Sequence, residues 1–169
     1  MKISRTYPVS ANAFVVFAKL GVGTVLAFTI LLSCTGGSGS DQGGAALEGT
    51  WQLLTGTTIE KGDTVLTDYT KELSMIKVIN KTHFAFLNHD LKHGKDTTAV
   101  FAAGGGRYEL KGDQYTEYLT YCSDRQWEGN KFMFTVKIEH DTLTQTGIEK
   151  VEATGVNRMN VEKYVRVKD

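Results

Sequence analysis

Phe132-Met133-Phe134-Thr135-Val136-Lys137-Ile138-Glu139, continued by His140-Asp141 and Thr142-Leu143-Thr144-Gln145-Thr146, decides the fold class. Phe132, Phe134, Val136 and Ile138 recur at every second position, while Lys137 and Glu139 fall on the opposite face. A period of two is that of an extended chain with one buried face. His140-Asp141 then makes a tight turn, so the two segments form a hairpin. Working outward, Lys111-Gly112-Asp113 turns between Arg107–Leu110 and Gln114–Cys122. Met75–Ile79 and His83–Leu87 pair around Asn80-Lys81, Thr50–Thr58 opens the series and Met159–Val167 closes it. The sequence therefore predicts an all-β fold of about eight strands, with no helical stripe longer than two turns. Successive short turns imply an antiparallel up-and-down meander, and closing it into a β-barrel removes the exposed edges. A two-sheet sandwich is the alternative; its crossovers need longer connections, for which only Glu60–Glu72 and Gly147–Asn157 offer room.

The amino-terminal part reads differently. Leu20–Leu32 (LGVGTVLAFTILL) is an apolar run of signal-peptide length after a basic start. It ends in Leu31-Leu32-Ser33-Cys34, the pattern of a lipobox, with an aliphatic residue at −3, a small one at −1 and then the cysteine whose sulfur accepts a diacylglyceryl group. Residues 1–33 are accordingly expected to be a cleaved lipoprotein signal peptide, with Cys34 the lipid attachment site. An uncleaved helix starting near Phe14 is the alternative, interrupted by Lys19. Residues 34–46 then form a Gly/Ser-rich tether, leaving 47–169 as the folded domain. Thr35, where an aspartate would retain a lipoprotein at the inner membrane, points to a lipid-anchored protein of the cell envelope at the outer membrane.

The chain has 169 residues and a formal charge of zero, but Lys2, Arg5 and Lys19 lie in the signal segment. Removing these three from the 19 Lys and Arg leaves 16 against 19 acids, a formal charge of −3. No basic run offsets that balance, so nucleic-acid binding is not expected. If Cys34 is lipidated, Cys122 has no partner, and the domain must be held by its core. A domain of this size can do so, burying roughly two thirds of its unfolded surface.

Leu47-Glu48-Gly49-Thr50-Trp51-Gln52-Leu53 resembles the Gly-x-Trp opening strand of the lipocalins and their calycin relatives, and Tyr164-Val165-Arg166-Val167 resembles their closing strand. Lys77-Val78-Ile79-Asn80-Lys81-Thr82-His83-Phe84-Ala85-Phe86, Gly104-Gly105-Gly106-Arg107-Tyr108-Glu109-Leu110 and Gly112-Asp113-Gln114-Tyr115-Thr116-Glu117 are similar to small bacterial lipocalin-like domains of unknown function. The resemblance implies a cup-shaped barrel in which Arg166 lies on the indole of Trp51 and closes one end, a contact worth about 0.5–2 kcal/mol. It also implies a small hydrophobic ligand. Phe84, Phe86, Tyr108, Tyr118, Phe132 and Phe134 are the candidate lining residues, the plainer reading being that they fill the core.

Other chemistry finds little support. His83, His89 and His93 are the candidate metal ligands, yet no helical i, i+4 spacing joins them; scattered surface histidines are expected, with no metal and no cofactor. His83 is expected to face outward, opposite Phe84 and Phe86. Tyr115, Glu117 and Tyr121 share one face of a strand, Tyr118 and Cys122 the other, and Glu117 is expected to face solvent in a cross-strand pair. Gly104-Gly105-Gly106 is read as a bulge or bend, not a phosphate loop. Trp127 lies on a connection, where it caps the mouth, touches a partner or packs under its own loop. The expectation is a membrane-anchored lipocalin-like lipoprotein that binds a small hydrophobic molecule. A scaffold lipoprotein with a filled barrel, binding another envelope protein by its loops, is the alternative. With no acid/base or nucleophile constellation, an enzyme acting on a lipid or metabolite is least favoured.

Overall fold

The computed structural model describes residues 46–95, 97 and 99–168; the expected signal peptide, Cys34 and most of the expected tether lie outside these. Nine strands form one antiparallel sheet: β1 (Gly49–Glu60), β2 (Asp63–Asp68), β3 (Leu73–Ile79), β4 (His83–Asp90), β5 (Phe101–Lys111), β6 (Gln114–Cys122), β7 (Lys131–Glu139), β8 (Thr142–Val151) and β9 (Val156–Arg166). From β3 to β9 each strand pairs with the next, and β1 pairs with both β3 and β9. Those pairings close an eight-stranded up-and-down barrel and exclude the sandwich. Among the described residues no helix is long and apolar enough to cross a membrane.

The ninth strand corrects the reading of Glu60–Glu72 as a connection. Lys61 and Gly62 both take positive φ (53° and 91°), the geometry of a tight hairpin turn. The turn folds β2 back on the outer half of β1, where Thr55–Glu60 pair with Asp63–Asp68. Because β2 has one neighbour and four of its six residues are exposed, it has no apolar alternation for the sequence to display. The other long connection is also shorter than expected: β8 runs to Val151, and one 3-10 turn (Glu152–Thr154) leads through Gly155 into β9.

Gly104-Gly105-Gly106 forms the middle of β5, and the β5–β6 register shifts between Gly105 and Gly106. Gly105 faces Tyr121 and Gly106 faces Leu119, so Thr120 is the extra residue of a bulge on β6. A Cβ on Gly106 would stand inside the van der Waals shell of Tyr118 O. Gly106→Ala is therefore expected to force the bulge apart and lower stability by about 1–3 kcal/mol, read as a lower urea midpoint. An unchanged midpoint would show that the bulge can relax at no cost.

The base of the barrel is closed by the two ends of the domain. The Trp51 indole is fully buried and donates to Leu47 O at 2.9 Å. The Arg166 guanidinium lies over its ring, 4.0 Å from the centroid, and donates to Glu48 O at 2.7 Å and to Ala46 O. Gly49 makes room for it. Its φ is 137°, and a Cβ there would meet Arg166 Nη1 at 2.6 Å, which gives the Gly-x-Trp pattern a physical reason. Among the described residues the strand pairings close the barrel on itself and the buried cluster runs from Leu47 to Tyr164, so the barrel has a core of its own.

Candidate functional site

Alternation along the strands stacks the interior in levels from base to mouth. The lowest level is apolar and filled: Trp51, Ile79, Tyr108, Tyr115, Leu143 and Tyr164 are all buried. Tyr108 packs on Tyr115 with ring centroids 5.2 Å apart and donates its hydroxyl to Asn80 O at 2.8 Å.

A buried polar level lies above it. Lys77 Nζ donates to Glu117 Oε1 at 2.8 Å and to Gln145 Oε1 at 3.0 Å, with Glu162 Oε2 at 3.9 Å. Gln145 Nε2 donates to Glu162 Oε2 at 3.2 Å, and Tyr164 donates its hydroxyl to the same oxygen at 2.7 Å. The rings of Phe84, Tyr115 and Tyr164 flank the ammonium at 5.4–6.0 Å. A charge taken out of water is tolerated only when paired and hydrogen-bonded, and this cluster meets both conditions. Burial alone pushes the Lys77 ammonium down, but Glu117 and Glu162 outweigh it and hold the group above the ordinary lysine value. Burial pushes the Glu117 carboxyl up, opposed by Lys77. The buried Tyr115 hydroxyl, raised by burial and then by Glu117, makes no hydrogen bond of good geometry.

The outer level is open. A cavity of about 430 Å3 extends from the polar level toward the mouth, within the usual range for small-molecule sites. Its two sides differ. Met75, Phe86, Leu119, Phe132 and Phe134 form an apolar wall, with Tyr69 and Trp127 alongside. Opposite them, β8 and β9 present Gln145, Glu149, Arg158, Asn160 and Glu162. Glu149 accepts from Arg158 Nε at 2.8 Å and from Asn160 Nδ2 at 2.9 Å, while the Arg158 guanidinium stands 5.6 Å from the centroid of Trp127. Trp127 itself packs on Phe132, 5.8 Å between centroids.

Of the six aromatics expected to line the barrel, the structure brings Phe86, Phe132 and Phe134 to the cavity. Phe84 and Tyr108 point inward but belong to the packed levels below. Tyr118 is displaced from the expected set: it alternates with the buried Glu117 and Leu119, and its ring lies 5.7 Å under Lys131 Nζ on the outer face. Glu117 is the converse correction, buried inside where a solvent-facing pair was expected. The bulge at Thr120 reverses the faces beyond it, so Tyr121 is exposed and Cys122 lines the cavity. Burial pushes the Cys122 thiol up, away from a reactive thiolate. His83 is exposed with a ring nitrogen 2.8 Å from Thr82 Oγ1, and no three potential metal ligands converge among the described residues.

Lys77, Gln145, Glu149, Arg158, Asn160 and Glu162 were missed by reasoning from apolar residues. Parity was the available signal: Lys77 shares a face with Ile79, Gln145 with Leu143, and Glu162 with Tyr164.

Burial, and then the neighbouring Glu162, push the Glu149 carboxyl up, against Arg158. A carboxyl raised in the folded state binds protons more tightly there than in the unfolded chain. Its contribution is complete below the ordinary glutamate range and is lost as pH rises through the raised value. Glu149→Gln is therefore expected to gain stability relative to the parent between about pH 4 and neutrality. Paired denaturant titrations at several pH values measure this, and a constant difference between the two proteins would contradict it. Neither family models nor curated proteins give a match to this chain.

Proposed function

We propose that this protein is a lipid-anchored, lipocalin-like binding protein of the cell envelope, held at the outer membrane through Cys34, that carries a small amphipathic molecule in its barrel. The observation behind the binding role is the two-sided cavity of about 430 Å3 above a filled base. Its apolar wall suits a hydrocarbon or aromatic body, and the β8–β9 side requires that the ligand also bear a polar group. A purely hydrophobic ligand would leave those polar groups desolvated without compensation. Ala46, the first described residue, lies at the base beside Arg166.

Trp127 supplies the test. The chain has two tryptophans; Trp51 is sealed in the base, and Trp127 lines the cavity. Titration with octanol is expected to change tryptophan emission saturably, and Trp127→Phe to abolish the change. An unresponsive Trp127, with no heat of binding, would favour a scaffold lipoprotein acting through its loops. Loss of acyl incorporation in Cys34→Ser would test the anchor.

A further inference from the structure

We propose that the polar group recognised by the cavity is cationic, so that the ligand is a small amphiphile with an ammonium head seated against Glu162 between the carboxylates of β8–β9 and the facing aromatic wall. This rests on the cavity being a binding site and concerns which ligands it accepts.

The charges that line the cavity are unequal. Lys77 and Arg158 face four carboxylates, those of Glu117, Asp124, Glu149 and Glu162. Lys77 is committed to Glu117 and Gln145 and is almost sealed, its side chain 3% exposed. Arg158 is engaged with Glu149 and stacked toward Trp127. Glu162 differs from Glu149, whose two oxygens are both engaged: its Oε2 accepts from Gln145 and Tyr164, while its Oε1 has no donor among the described residues. Its side chain keeps 14% of its surface accessible and lines the cavity. An incoming ammonium would give that oxygen its missing donor.

The aromatic lining acts in the same direction. Tyr69, Phe86, Trp127, Phe132 and Phe134 present aromatic rings to the space, and ring faces attract cations, more strongly where water is excluded. Aromatic rings and a carboxylate lining one cavity are a combination suited to ammonium groups. A fatty-acid carboxylate in the same place would join the buried Glu117 and the partly buried Glu149 and Glu162. Besides burial, the Glu162 charge pushes up the carboxyls of Glu117 and Glu149 and the hydroxyl of Tyr69.

The test compares three probes with one chain length, octylammonium, octanol and octanoate, titrated calorimetrically into the domain beginning at Asp41. Octylammonium is expected to bind at least tenfold more tightly than octanol, with octanoate weakest. In Glu162→Gln, which keeps the side-chain shape and one carbonyl oxygen to accept from Gln145 and Tyr164 but removes the charge and the second acceptor, the ammonium-to-octanol ratio is expected to fall several-fold while the melting transition stays cooperative. Octanol or octanoate binding as tightly as octylammonium would overturn the cationic assignment and leave the binding role standing. An unchanged ratio in Glu162→Gln would overturn the assignment to Glu162. Failure of all three probes to bind would overturn the binding role with it.

Discussion

Lys77→Met is expected to lower the unfolding free energy by about 3–5 kcal/mol, because it leaves the Glu117 carboxylate buried with no cation beside it. Methionine fills much of the lysine volume, so the loss would measure electrostatics more than a void. The double variant Lys77→Met/Glu117→Leu removes both charges and is expected to regain most of the loss, since a buried ion pair is replaced by apolar contacts of similar size. Urea unfolding of the parent, both singles and the double provides the cycle. A double variant as unstable as the sum of its singles would mean that Lys77 and Glu117 are not coupled, contrary to their 2.8 Å contact.

Arg166→Ala is expected to cost roughly 3 kcal/mol, combining a lost cation–π contact with lost charged hydrogen bonds. The guanidinium covers Trp51 and holds the carbonyls of Ala46 and Glu48 at once. Lysine keeps the charge but not the planar fork, so Arg166→Lys should recover only part of the loss. Unfolding midpoints would show the order parent, lysine, alanine. Equal midpoints for all three would mean that the base is closed without this residue.

The barrel was legible because its strands have one wet and one dry face, and the Phe132–Thr146 hairpin shows this plainly. The ends were legible too: Gly49, Trp51 and Arg166 meet at the base in the arrangement their family resemblance implies. β2 was invisible because a strand with a single neighbour buries too little to alternate. Tyr121 was grouped with Glu117 and Cys122 with Tyr118, and both groupings fail because one residue added at Thr120 inverts parity beyond it; the sequence gives no direct sign of such an insertion. The larger failure concerned the interior. Treating inward-facing as apolar overlooked Lys77 and Gln145, which are buried, and the partly buried Glu162; each points inward because it meets a partner from a strand distant in sequence. Pairings such as Lys77 with Glu117, 40 residues apart, emerge only when the barrel closes.

The most direct test of the central claim, that the barrel carries a small molecule, is native mass spectrometry of the domain from Asp41, purified from its own host without detergent. One added mass per chain that disappears on denaturation is expected, with the released molecule bearing a basic nitrogen. A bare mass that stays bare after incubation with octylammonium and octanol would contradict it.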